Sequence, residues 1–327
     1  MTIDAGHAPK RVLITGATGF VGSALVNALD QHPDYLPISV VRSEENNPAA
    51  DSQLFFIQGI SSTTDWAEGL KETAAVVHAA ARVHVMNEVA ADALAEFRKV
   101  NVDGTVNLAR QAARAGVKRF VYISSIKVNG EVTNLGHPFT ADDDPAPSDP
   151  YGISKREAED ALRAISLETG MEVVIIRPPL IYGPGVKANF RNMMSWLKKG
   201  IPLPFGAIHN KRSLVALENL VSLILVCLEH PSAAGQVFLV SDGADLSTTE
   251  LLNKTAWALG VKSRLIPVPE SMLIFCAVAL GRRALSQRLC GTLQVDISKT
   301  RSLLCWNPPV PIEDALNKTA KEFLGYR

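Results

Sequence analysis

Charge of one sign is missing. Across 327 residues, 33 Lys and Arg balance 33 Asp and Glu, so the chain has neither a long-range basic field to gather nucleic acid nor an acidic tail. Aromatic residues make up only 6% and the basic residues are scattered, which argues against a stacking platform for single-stranded nucleic acid. Nucleic acid is therefore not expected as a partner. Cysteine is scarce: Cys227, Cys276, Cys290 and Cys305 all lie in the C-terminal third, with no Cys-x-x-Cys pair and no histidine at ligand spacing nearby. They read as reduced, buried thiols. The seven histidines, His78 and His84 among them, form no metal-like cluster, so they read as structural and no metal is expected. Long apolar runs are also lacking. Residues 272–280 (MLIFCAVAL) are wholly apolar but fall far short of the roughly 20 residues that cross a bilayer. The run reads as a buried helix, with a helix for a membrane surface or a partner as the alternative. The opening MTIDAGHAPKRV has no apolar core behind its charges, which is not the pattern of a secretory signal, and a cytoplasmic location is expected.

What is present is a globular composition, 47% hydrophobic and 20% charged, with an ordered rhythm. Short β-rich runs start at Val12 (VLIT), Ile38 (ISVV), Leu54 (LFFI), Ala75 (AVVH), Phe120 (FVYIS) and Val173 (VVII). Helical spacing recurs between them, as in Val21, Leu25 and Leu29, and more loosely in Leu94, Phe97, Val100 and Leu108. Gly116 and Gly170 stand where a helix would stop before a strand. This alternation predicts an α/β fold with a Rossmann-type, doubly wound parallel sheet. After Pro178 the rhythm changes. Pro and Gly crowd into RPPLIYGPG, GIPLPFG and WNPPVP, so a dinucleotide-binding domain over 1–178 is expected to give way to a smaller mixed α/β lobe over 179–327. That lobe would be partly interleaved with the last sheet strands. Helices are expected at 190–199 and 218–229, a strand at 237–240, and a further helix opened by the capping box Ser247 to Glu250.

The first strand runs directly into Gly16-Ala17-Thr18-Gly19-Phe20-Val21-Gly22, and a helix follows. Glycines at such a turn let the backbone approach a pyrophosphate, whose charge meets the free N–H groups of the helix start. About 20 residues after the last glycine, the position that reads the ribose holds Arg42 and then Ser43, with Glu44 and Glu45 close behind. A guanidinium suits a 2′-phosphate, which favours NADP(H) and leaves NAD(H) open. Farther on, Tyr151 and Lys155 stand four residues apart on an expected helix and so share a face. An ammonium beside a phenol lowers the phenol's pKa and lets it give or take a proton. Upstream, FVYISSIKVNG ends a strand in Ser124 and Ser125, where parallel sheets bind ligands.

Together, Gly16-x-x-Gly19-x-x-Gly22, Asn101-x-Asp103-Gly104-Thr105, Tyr122-x-Ser124-Ser125, Tyr151-x-x-x-Lys155 and Arg177-Pro178 resemble the extended short-chain dehydrogenase/reductases, in their nucleotide-sugar epimerase, dehydratase and reductase branch. The resemblance implies Tyr151 as acid/base, Lys155 on the nicotinamide ribose and Ser125 on the substrate oxygen. It implies a dinucleotide groove lined by Ala79, Ala80, Ala81 and the segment at Gly59 and Ile60, with Asn101, Ser124, Arg177 and Pro178 among the cofactor residues. Substrate contacts would come from Arg82, Ser125, Lys127, Asn189, Arg191 and Arg212. The acid pair of the 4,6-dehydratases is replaced here by Ile126 and Lys127, so dehydration is not expected. Stretches such as VYISSIKVNGE and RPPLIYGPGVKANF are most similar to bacterial O-antigen enzymes that reduce the C4 ketone of a UDP-4-keto-6-deoxy-HexNAc, a group often labelled UDP-glucose 4-epimerases. The resemblance therefore implies a 4-reductase of lipopolysaccharide biosynthesis, with a 4-epimerase of a UDP-sugar or of a lipid-diphosphate sugar as the alternative. It also implies a homodimer through the helices near 90–115 and 151–169.

Overall fold

The computed structural model describes residues 8–43, 53–83, 92–281 and 283–326; Glu44, Glu45 and His84, like residues 90 and 91 of the expected dimer helix, lie outside them. In chain order the elements are β1 (Lys10–Thr15), α1 (Phe20–Asp30), β2 (Tyr35–Val41), β3 (Gln53–Phe56), β4 (Thr73–His78), α2 (Ala93–Arg98), α3 (Thr105–Arg114), β5 (Arg119–Ile123), α4 (Pro150–Thr169) and β6 (Glu172–Arg177). After these come β7 (Leu180–Tyr182), α5 (Ala188–Lys198), β8 (Leu214–Ala216), α6 (Leu217–Glu229), β9 (Val237–Leu239), α7 (Thr248–Ala258), α8 (Glu270–Ala279), α9 (Arg283–Cys290), α10 (Ser298–Leu304) and α11 (Ile312–Leu324).

The chain divides into two compact units, one of residues 1–128, 145–177 and 224–238, the other of 129–144, 178–223 and 239–327. The single boundary read at Pro178 is thus one crossing of several. In the first unit the described strands form a seven-stranded sheet of order β3-β2-β1-β4-β5-β6-β9, with every pairing from β1 to β6 parallel. This is the Rossmann-type α/β fold. All five β5 residues are buried, as a strand covered on both faces requires. One core joins Leu108 and Ala112 of α3 and Ala158 and Leu162 of α4 to Phe120, Val173 and Ile175 of the sheet. The strand order reverses between β1 and β4, where such sheets open a crevice beyond their carboxyl ends.

The second unit carries the parallel pair β7–β8 and a core of Phe190, Met194, Leu252, Ala256, Leu316 and neighbours from α5, α7 and α11. The capping box at α7 is present, with Ser247 Oγ on the Glu250 N–H at 3.0 Å and Glu250 on the Ser247 N–H at 2.7 Å.

Two expectations need correction. The apolar run at 272–280 is helical but not buried, since none of the residues of α8 is; its companion α9 is too little to enclose it. Of the cysteines, Cys227 and Cys290 are buried but Cys276 and Cys305 are exposed, Cys276 because it rides on that uncovered helix. No described helix is long and apolar enough to cross a membrane.

Candidate active site

At the end of β1 the backbone turns through Gly16 with φ +71°, a conformation that a side chain strains. A Cβ there would lie 2.8 Å from the Ala80 N and 3.0 Å from the Ala79 carbonyl carbon, so only glycine lets β1 and β4 end so close together. At Gly22 a Cβ would meet the Gly16 carbonyl oxygen at 2.1 Å, which seats α1 against the turn. Gly19 is the N-cap of α1 and supplies no side-chain cap, and no acidic residue stands in the first turn. The N–H groups at Phe20, Val21 and Gly22 therefore meet positive helix-end potential without a built-in anion, beside exposed Thr18. Cradle and charge both fit the pyrophosphate of a dinucleotide. Gly22→Ala is expected to destabilise the unit by about 1–3 kcal/mol, the usual range for overpacking. It should also weaken dinucleotide binding roughly tenfold or more, which fluorescence titration with the reduced dinucleotide would measure.

The other wall is held from behind by one hydrogen-bond chain. Ala80 N–H donates to Thr15 Oγ1 at 3.3 Å, Thr15 meets His78 Nδ1 at 2.6 Å, and His78 Nε2 meets Thr105 Oγ1 at 2.9 Å. Thr105 donates in turn to the Asn101 carbonyl at 2.7 Å. Because the Thr105 proton is spent there, the network assigns His78 the Nε2–H tautomer, with Thr15 donating to Nδ1. Asn101 lies in a π-helical turn, Lys99–Gly104. Its Oδ1 accepts the Arg82 N–H at 2.8 Å, and its Nδ2 donates to the Arg82 carbonyl and to Ser154 Oγ. Gly104 is required because a Cβ would meet Ile60 Cγ2 at 2.5 Å. The Asn-x-Asp-Gly-Thr motif thus clasps the strand-end segment carrying Ala79, Ala80 and Ala81.

Burial, with help from the Lys155 charge, brings the His78 pKa down to about 3, so it is neutral in the fold. Its folded pKa lies below its unfolded value, so the unfolded chain binds the extra proton between these limits. The stability is complete above about pH 6.5 and declines as pH falls toward 3, at up to about 1.4 kcal/mol per pH unit from this group. Denaturant midpoints measured from pH 7 to 4.5 should fall more steeply for the wild type than for His78→Gln.

The helix carrying Tyr151 and Lys155 starts at Asp149, whose Oδ1 accepts the Gly152 N–H at 2.6 Å, with Pro150 in the first turn, where its missing N–H is not needed. Lys155 is 1% exposed; its Nζ donates to the Ile123 carbonyl at 2.7 Å and lies 4.0 Å from the centre of the Tyr122 ring. Burial brings its pKa down to about 7, with Glu159 pulling the other way. Tyr151 meets Phe97 edge-on at 6.0 Å. Its phenol is pushed up to about 12, by burial first and then by the Asp149 carboxylate. Lys155, whose ammonium donates to the Ile123 carbonyl, is not among the groups that shift the phenol, and phenolate desolvation dominates.

Ser125 opens the turn after β5, where its Oγ accepts the Lys127 N–H at 3.3 Å. Lys127 forms an ion pair with Asp149, the residue that caps α4. Ser124 points elsewhere, its Oγ donating to buried Glu159 at 2.6 Å. Arg177 donates to the same carboxylate at 2.9 Å and 2.6 Å. Three expected cofactor residues, Asn101, Ser124 and Arg177, therefore brace the site from within. Arg42 is exposed just beyond β2, with Ser43 half-buried beside it; Gly59 and Ile60 follow β3 and are half-buried.

In the second unit, Asn189 and Arg191 are exposed on the first turn of α5, while Pro178 is buried. Arg212 is held by its Nη1 on the Gly291 carbonyl at 2.9 Å, and burial lowers its pKa. The sequence reading missed Glu159 and Asp149. Glu159 stands one further turn along the face of Tyr151 and Lys155, and Asp149-Pro150 is a helix-start signature. No described group of His, Cys, Asp and Glu could hold a metal.

A glycine loop at the switch point of a parallel sheet, with a Tyr-x-x-x-Lys helix beside it, defines a Rossmann-type dinucleotide enzyme. The chain belongs to the NAD dependent epimerase/dehydratase family, whose model matches residues 12–241. It is 51% identical over 317 residues to a UDP-glucose 4-epimerase of Vibrio cholerae, covering 97% of this chain and 96% of that one. It is 31% identical over 261 residues to a ceramide reductase of Caulobacter vibrioides, covering 79% and 74%. Its fold matches that of UDP-glucuronic acid 4-epimerase from Bacillus cereus, solved in complex with NAD, with a TM-score of 0.78 and 20% identity over 97% of this chain and 99% of that one.

Proposed function

We propose that the protein is an NAD-dependent 4-epimerase of a UDP-sugar, of the UDP-glucose/UDP-galactose or UDP-GlcNAc/UDP-GalNAc type. The observation that carries this reading is 51% identity along nearly the whole length of a relative named UDP-glucose 4-epimerase, in a chain that holds Ser125, Tyr151 and Lys155 at the end of β5 and the start of α4. When bound, NAD supplies a hydride acceptor that becomes the donor on return, and its oxidised ring adds a positive charge. Lys155 would hold the nicotinamide ribose, while Gly16, Gly19 and Gly22 admit the pyrophosphate. Ser125 would hold the C4 oxygen as Tyr151 takes its proton, and Tyr151 would give the proton back once the 4-keto sugar has presented its other face. Arg82, Lys127, Asn189, Arg191 and Arg212 are the proposed substrate contacts. The enzyme would act as a cytoplasmic homodimer.

The test is to denature protein purified without added cofactor, identify the dinucleotide released, and assay UDP-glucose and UDP-GlcNAc for 4-epimers. Bound NAD and interconversion of either pair support the reading; an empty protein that epimerises neither with added NAD overturns it.

A second reading, NAD(P)H-dependent reduction of a UDP-4-keto-6-deoxy-HexNAc, has one specific observation in its favour. Arg42 is exposed at the end of β2, where a guanidinium suits a 2′-phosphate. On that reading Arg42→Ala should lower the NADPH-to-NADH preference roughly tenfold or more; as an epimerase, the variant should keep its turnover with NAD.

A further inference from the structure

We propose that α8 docks the protein on an anionic membrane surface. The helix reads ESMLIFCAVA, carries no charge after Glu270, and has no buried residue. Met272, Phe275, Val278 and Leu280 are 51%, 73%, 52% and 75% exposed. A helix apolar all round is ordinarily a buried one, and leaving such a surface in water is the mark of an interaction site. Ten residues rise only about 15 Å, half of a hydrocarbon core, so the helix lies in a membrane surface and does not cross.

Charge selects the occupant. Between positions 262 and 288 the sequence holds five basic residues, Lys262, Arg264, Arg282, Arg283 and Arg288, against one acid, Glu270, in a chain whose formal net charge is zero. The helix has no basic residue of its own, so the division of labour runs along the sequence: the apolar helix enters the headgroup boundary while the cations before and after it meet the lipid phosphates. A second copy of this chain meeting the helix across a two-fold axis would bring the same cations against one another, which argues against self-association here. The inference does not depend on the epimerase reading.

The full-length protein should co-sediment with phosphatidylcholine vesicles containing phosphatidylglycerol at least about tenfold better than with phosphatidylcholine alone, and lose that binding in high salt. The Phe275→Asp/Leu280→Asp double variant should remain folded, bind NAD as the wild type does, and fail to sediment with the vesicles. Arg283→Glu/Arg288→Glu should weaken binding with the apolar face intact. Three results would each overturn the proposal: no sedimentation of the wild type with anionic vesicles at low salt; binding unchanged in the aspartate variant; or conversion of a wild-type dimer to monomer by that variant, which would make α8 a contact between copies.

Discussion

Tyr151→Phe is expected to lower turnover about a thousandfold, within the range that a positioned general acid or base contributes, while NAD affinity changes only a few-fold. The substitution removes one hydroxyl from a side chain that otherwise keeps its place, packed on Phe97 at 6.0 Å. Fold and groove should therefore survive, and the loss should fall on kcat. The phenol is pushed up to about 12 by burial and Asp149, so it is protonated at neutral pH, and cycling its proton requires positive charge nearby. Asp149→Asn should consequently bring the phenol's pKa down, seen as tyrosinate absorbance appearing at lower pH than in the wild type. A Tyr151→Phe enzyme with wild-type turnover would remove Tyr151 from the chemistry.

The second large effect is expected at Glu159. This carboxylate is fully buried and accepts from Arg177 through both oxygens, from Ser124 at 2.6 Å and from Arg163 at 3.2 Å. Removing one partner of a buried pair leaves the other charge uncompensated, and Glu159→Ala should destabilise the first unit by about 3–5 kcal/mol, measurable as a drop in denaturant midpoint. The milder Glu159→Gln separates positioning from folding. Glu159 is the group that opposes the burial-driven lowering of Lys155. Without its charge, the ammonium is lost at a pH below about 7, so activity at neutral pH should fall and partly recover toward pH 6. A merely structural role would lower activity equally at both.

Much of this was legible in the chain because the physical signals are local. Six strand runs, the glycine turn and the Tyr-x-x-x-Lys face each follow from spacing within a few residues. What escaped depends on contacts between distant positions. Asn101, Ser124 and Arg177 were recognised as site residues by motif, but only the fold shows that their polar groups face Arg82, Ser154 and Glu159. The i, i+4 spacing places Lys155 on the face of Tyr151 but says nothing of the Ile123 carbonyl that takes its ammonium or of the burial that raises the phenol's pKa. The apolar run before Gly281 has the composition of a core helix, and nothing within it tells how little covers it.

On the proposed 4-epimerase function, hydride leaves C4 and returns to the same carbon on the opposite face. UDP-glucose labelled with deuterium at C4 should be converted to UDP-galactose that keeps the label at C4, without added cofactor and with no net change in absorbance of reduced nicotinamide. Loss of the label to solvent, or its transfer to an exchangeable pool of NADH or NADPH, would contradict the account.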